Sequence, residues 1–196
     1  IFTDGDIKHT AVIPAAGQMV TNDIRIGLRT SLEAAEDIKK KYGSLINEAN
    51  DAQINIPVPS VSDKPESEIS KPSLTHIITC RIDEIFQQIE EEINSSGWAS
   101  KIRAGIVFTG GGCKLNGLDT YAENKLLMPT RIGSPKDIIG IQNLSGQTRY
   151  STAVGLLLYK DEKLNDMPHR QKSENPIIKY IETIWNKFSI YFQREL

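Results

Sequence analysis

The sequence is poor in the residues that staple or metallate a fold. Cysteine occurs twice, at Cys80 and Cys113, far apart and in no CxxC pair. That excludes a disulfide framework and fits free thiols in a reducing compartment. The three histidines, His9, His76 and His169, stand alone, so no metal-ligand spacing is present. No run reaches the roughly 20 apolar residues that span a bilayer, and no secretory signal is visible. Charge of one sign is not in excess. The formal net charge is −2, which gives no global reason to expect nucleic acid. An initial Met is lacking too. The chain opens on "IFTDGD", as if inside a strand, and is expected to be a piece of a longer protein.

What is present is enough for one domain with an inserted lobe: 196 residues, 39% of them hydrophobic. "HTAVIPAAG" (9–17) reads as a short strand around Val12 and Ile13, with an Asp-Gly hairpin signal upstream in "TDGD". Asp4 and Asp6 in that signal fit a turn better than a Mg²⁺ site. Residues 19–30 read as a helix, with Thr21 or Asn22 as its cap. Residues 31–43 are a stronger helix, with Ser31 as N-cap, three lysines in the last turn and Gly43 at its end. "INIPVPSV" (54–61) alternates and carries two prolines, which suits an edge strand or a β-rich small lobe. The polar loop 63–73 has room for one short strand near Ile69. Residues 74–93 form the clearest helix. Leu74, Ile77, Ile78, Ile82, Ile85, Ile89 and Ile93 recur on one face, and Gly97 closes it. Residues 130–135 hold a short strand, and 150–160 a helix with the small residues Ala153 and Gly155.

Two stretches carry candidate chemistry. In "GIVFTGGGCKLNGL" (105–118) an apolar strand breaks into Gly110, Gly111 and Gly112, then restarts as a helix. Glycine lets backbone approach a nucleotide with no Cβ in the way. A bare glycine triplet fits an empty strand-to-helix turn equally well, and it is neither a Walker A loop nor GxGxxG. The second stretch is the tail. After a polar segment, 161–175, which reads as a flexible linker, residues 176–196 become strongly amphipathic. Ile177, Ile178, Ile181, Ile184, Trp185, Phe188, Tyr191 and Phe192 make one wide apolar stripe. Such a helix is about 30 Å long. Its aromatics favour a membrane–water boundary, and its interrupted stripe suits lying in the membrane plane rather than crossing it. The competing reading is an amphipathic helix packed on its own domain.

"IVFTGGG" followed by "LNGL" resembles the adenosine motif of the actin-like ATPase superfamily. "HTAVIPAAGQMVTNDI", "AEDIKKKYG", "VPSV", "GIVFTGGG", "RIGSP" and "YSTAVGLLLY" together, in this order over about residues 1 to 160, resemble the C-terminal half of the bacterial FtsA cell-division family. The resemblance implies an α/β fold: an actin-like (RNase-H-like) lobe from 1–31 and 97–160, with an inserted small α+β lobe at 32–96. The linker 161–175 and the amphipathic membrane-anchoring helix 176–196 follow. It implies that ATP lies against Gly110, Gly111 and Gly112, with the E-x-x-K pair Glu36 and Lys39 on the adenosine. A spacing of three puts that pair on one helix face. Mg²⁺ is expected only in the intact protein, whose first lobe and phosphate loop lie upstream.

The same resemblance implies a role for Lys64 and Arg81 in receiving the C-terminal peptide of the tubulin-like protein FtsZ, an acidic and apolar ligand. Other expected partners are a second copy in a polymer, membrane lipid under Ile177, Ile178, Ile181, Ile184, Trp185, Phe188 and Phe192, and later division proteins. Nucleic acid is not among them. The implied protein tethers the FtsZ ring at the cytoplasmic face of the membrane and is at most a slow ATPase. Alternatives are an actin-like adaptor of the pilus-assembly type and a fragment of an actin-fold small-molecule kinase. No catalytic residue can be named.

Overall fold

A computed structural model describes residues 1–61, 65, 67–102, 104–136 and 146–158. The chain divides into two units, Ile1–Leu157 and Leu158–Leu196. The linker, the amphipathic tail and Lys64 lie outside the described residues.

The chain starts in a small antiparallel hairpin, β1 (Phe2–Thr3) and β2 (Asp6–Ile7). Asp4 and Gly5 turn it at positive φ, 56° and 85°, as the Asp-Gly signal requires. The strand expected at Val12 and Ile13 is absent: residues 8–15 form no helix or strand, and Val12 is 91% exposed. A half-buried strand needs a covering face, and Val12 has none.

Helix α1 (Gly17–Leu28) begins two residues earlier than its sequence signals indicate. Its N-cap is Ala16, which offers no side-chain hydrogen bond, rather than Thr21 or Asn22. Those two polar residues lie inside the helix, Thr21 fully buried. Helix α2 (Leu32–Tyr42) follows its sequence signals closely. The Ser31 hydroxyl accepts from the Ala34 amide, Lys39, Lys40 and Lys41 crowd the last turn, and Gly43 is the C-cap. Strand β3 (Asn55–Val58) pairs antiparallel with β4 (Ser67–Ser70), Ile56 opposite Ile69. The pair is anchored at its base by Asp51, 2% exposed, whose Oδ1 lies 2.8 Å from Lys71 Nζ.

Helix α3 (Lys71–Ser95) is 25 residues long, is N-capped by Ser70 and has Pro72 in its first turn. Strand β5 (Ile106–Phe108) then pairs in parallel with β6 (Thr130–Ile132). Helix α4 (Leu118–Leu126) is the crossover between them, as a parallel pair demands. Helix α5 (Ser151–Leu158) closes the described chain.

The core is made where one face of each helix turns inward. Val20 and Ile24 of α1, Ala35 and Ile38 of α2, and Leu74, Ile78, Ile82 and Phe86 of α3 cluster with Ile56, Val58, Leu118, Ala122 and Leu126. Phe86 joins the helical part to the parallel strands, its ring 5.7 Å from Phe108 and 6.2 Å from Tyr121.

Truncating a fully buried member of this cluster should be costly. Ile78→Ala is expected to lower unfolding free energy by about 2–5 kcal/mol. Ile26→Ala, at a side chain 61% exposed, should change it little. Denaturant titration of both variants against wild type checks the contrast.

Candidate functional site

Three separate stretches of chain meet at the N-terminus of α1. The first is Lys39, on the inner face of α2. Its ammonium donates to Glu36 Oε2 at 2.6 Å, Thr21 Oγ1 at 2.6 Å and the Gly17 carbonyl at 3.1 Å. The side chain is only 15% exposed, so three oxygens replace most of its hydration. Glu36 also accepts from the Thr21 hydroxyl, and its second oxygen lies 3.4 Å from Lys40 Nζ. The E-x-x-K pair is therefore a clasp between α2 and α1, with Thr21 as a shared third member.

The second stretch is the glycine turn after β5. Gly110 has φ of 96° and ψ of −177°, a conformation open to glycine alone. A Cβ placed on Gly110, Gly111 or Gly112 would meet no atom within 4 Å, so the turn faces open space. Gly17, the third stretch, lies between the other two. A Cβ built there would be 3.9 Å from Lys39 Nζ and 4.0 Å from the Gly112 Cα. The structure thus gathers Gly110–Gly112, Glu36 and Lys39 around the first turn of α1. Gly17 and Thr21 complete the cluster and were not found in the sequence. Their only signal is a spacing of four along α1, which one strand of text does not connect to a lysine 18 to 22 residues later.

The turn is held from behind. The Gly110 amide donates to the Thr148 carbonyl at 3.2 Å, and Thr109 Oγ1 donates to the Gly133 carbonyl at 2.8 Å. Thr109 and Ser151 hydroxyls lie 2.6 Å apart, which ties the turn to the start of α5. The buried Thr148 hydroxyl has no hydrogen-bond partner among the described residues. The open glycine turn leaves room for a polar ligand to approach its backbone, with the Lys39–Glu36 clasp fixing α1 beside it.

A different face of α1 lines a cavity of about 590 Å³. Gln18, Asn22 and Arg25 fall on one stripe of the helix, at i, i+4 and i+7, with Met19 and Asp23 beside them. Leu32, Val61 and Arg81 are also part of the wall. Arg81, expected as a docking cation, is already paired. Its Nε and Nη2 make a bidentate contact with Asp23, the second bond 2.9 Å long, and Nη1 donates to Glu84. The Asp23 hydrogen bond is the main reason that the guanidinium pKa is raised, against the opposing effect of burial. Arg81 therefore braces α3 against α1 as well as facing the cavity.

A sequence profile of the family described as Cell division protein FtsA matches residues 1–155. The Cell division protein FtsA of Pseudomonas aeruginosa is 43% identical over 166 residues, covering 85% of this chain and 40% of that relative. The protein of the same description from Escherichia coli K12 is 34% identical over 173 residues, covering 84% of this chain and 41% of the relative. The chain thus spans about two fifths of the length of the curated relatives it matches. Among solved structures, MreB 5 of Spiroplasma citri bound to AMPPNP superimposes with a TM-score of 0.66 at 22% identity. That match covers 84% of this chain and 49% of the other. It speaks for the fold, which is actin-like α/β.

Two carboxylates in these elements make stability depend on pH. Burial on its own pushes Glu36 up, but hydrogen bonds from Lys39 and Thr21 and the charges of Lys39 and Lys40 outweigh it, leaving the pKa lowered. Asp51 is lowered by the Lys71 hydrogen bond and the Glu48 amide. A carboxyl held below its unfolded value binds protons more weakly when folded. Its contribution is present above the ordinary carboxyl range, about pH 4, and is lost as pH falls through the lower native value. The denaturant midpoint should therefore fall steadily below about pH 4, and Glu36→Gln should flatten part of that fall.

Proposed function

Because this chain belongs to the FtsA family of cell-division proteins, we propose that it is the ATP-holding and tethering half of an actin-like polymer-former. The intact protein couples the FtsZ ring to the cytoplasmic membrane and helps to bring later division proteins to the septum. The observation that carries this reading is the meeting of Gly17, Gly112 and Lys39 within about 4 Å of a common point. In this reading the backbone of Gly110–Gly112 lies against the nucleotide, whose approach needs the space that a side chain there would fill. Glu36 and Lys39 face the adenosine end, presented by α2 and held in orientation by Thr21. Bound ATP supplies the energy difference between polymer states. Mg²⁺ belongs with the phosphates and the upstream lobe of the intact protein.

Three further assignments belong to the same proposal. The segments 1–31 and 97–160 form the larger lobe and 32–96 the smaller. The cavity beside Arg81 receives the FtsZ C-terminal peptide, and Lys64 is the second basic residue assigned to that role. Residues 176–196 lie in the membrane plane through Ile177, Ile178, Ile181, Ile184, Trp185, Phe188 and Phe192. A kinase reading lacks a candidate catalytic carboxylate, and a pilus-type adaptor leaves the aromatic stripe of the tail unused.

Nucleotide affinity tests the site. In the intact protein, Lys39→Ala should weaken ATP binding about tenfold, the loss of one charged hydrogen-bonding group. Unchanged affinity by calorimetry would remove Lys39 from the site. Membrane tethering is tested separately, by cosedimentation with liposomes. Deleting 176–196 should abolish it, and persistence of binding would refute the anchor.

A further inference from the structure

The cavity beside α1 holds two guanidinium groups in different electrical states. Arg81 is neutralised twice, by the bidentate Asp23 carboxylate and by Glu84. Arg25, one of the residues lining the same cavity, is exposed and has no carboxylate partner among the described residues. Its Nε and Nη2 are held at 3.1 and 2.9 Å by a neutral acceptor, the Asn22 side-chain carbonyl. That contact leaves its charge intact and uses one edge of the fork, so the side chain is oriented without being neutralised. Among the described residues Asp23 is the lining carboxylate, and Arg81 already holds it. Among the described residues, the uncompensated positive charge of the cavity wall therefore sits on Arg25.

We infer that Arg25 is the residue that reads the carboxylate of an acidic peptide docked in this cavity, while Arg81 acts mainly as the brace between α3 and α1. The inference rests on the reading that the cavity takes an acidic, partly apolar peptide, and it names the residue that selects for the acid. A carboxylate approaching Arg81 must first displace Asp23 or Glu84 and pay the desolvation of the one it displaces. A carboxylate approaching Arg25 displaces only water. Met19, Leu32 and Val61 offer apolar contact along the same wall. Val61 is 68% exposed, so its side chain is open to a ligand rather than committed to the core. The pattern is one oriented cation beside an apolar strip, which matches an extended peptide with an acidic residue next to apolar anchors.

The test is peptide affinity over a range of salt, by fluorescence anisotropy with the FtsZ C-terminal peptide and the intact protein. Arg25→Gln should weaken binding about three- to fivefold and flatten its salt dependence, as expected for an exposed ion pair. Arg25→Lys should keep most of the salt dependence, because it keeps the charge. Both substitutions lie on an exposed face, so the thermal midpoint should not move. Wild-type affinity and salt slope in Arg25→Gln, with binding lost in Arg81→Glu, would overturn the inference and leave the cavity reading intact. No binding by wild type would remove the cavity reading, and this inference with it.

Discussion

Helix α1 has no side-chain cap and no acidic residue in its first turn, so its own sequence does little to hold its N-terminus. The missing support arrives from another helix. Lys39 reaches from α2 to the Gly17 carbonyl and the Thr21 hydroxyl, while Glu36 balances its charge. Apolar burial does the rest, with Val20 and Ile24 fully enclosed between α2 and α3. The position of α1 is thus a tertiary result, and both the glycine turn and the cavity wall are defined relative to it. An ammonium held by three oxygens and mostly withdrawn from water is costly to displace, because each acceptor loses its partner at once.

One helix thereby serves two surfaces. Gly17 faces the clasp and the glycine turn, Thr21 faces the clasp, and Gln18, Asn22 and Arg25 face the cavity. The separation follows from the helical period, which stacks residues three or four apart along one face. A shift of α1 that loosened the Lys39 clasp would also move Asp23, and with it the Arg81 brace to α3. The glycine-turn side and the cavity side are therefore mechanically joined through a single 12-residue element.

Much of the element order was legible. Residues 31–43 carry a serine cap and a glycine stop, and 74–93 a periodic apolar face closed by glycine; both are helices, the second starting earlier, at Lys71, behind a Ser70 cap that its apolar periodicity did not reveal. The failures were local signals that tertiary packing either left unsupported or redirected. Val12 and Ile13 look like strand residues, but no neighbouring strand accepts them, so the segment forms no strand. Thr21 and Asn22 look like caps, yet both lie within α1, because Thr21 is recruited by Lys39 and Asn22 by Arg25. Arg81 reads as a free cation until Asp23, 58 residues away, is seen to meet it.

By itself the sequence determined which segments turn, which faces are apolar, where the glycines break a strand, and to which family the chain belongs. These are properties of neighbours along the chain, set by dihedral preference and by periods of two or 3.6 residues. Only the tertiary structure decided that Gly17, Gly112 and Lys39 share one corner, that Glu36 is a clasp as well as a candidate contact, and that Arg25 rather than Arg81 carries the open charge. Hydrogen bonds and ion pairs act over about 3 Å in space whatever the distance in sequence. Their partners are therefore chosen by packing, which brings together residues that nothing in the order of the chain connects.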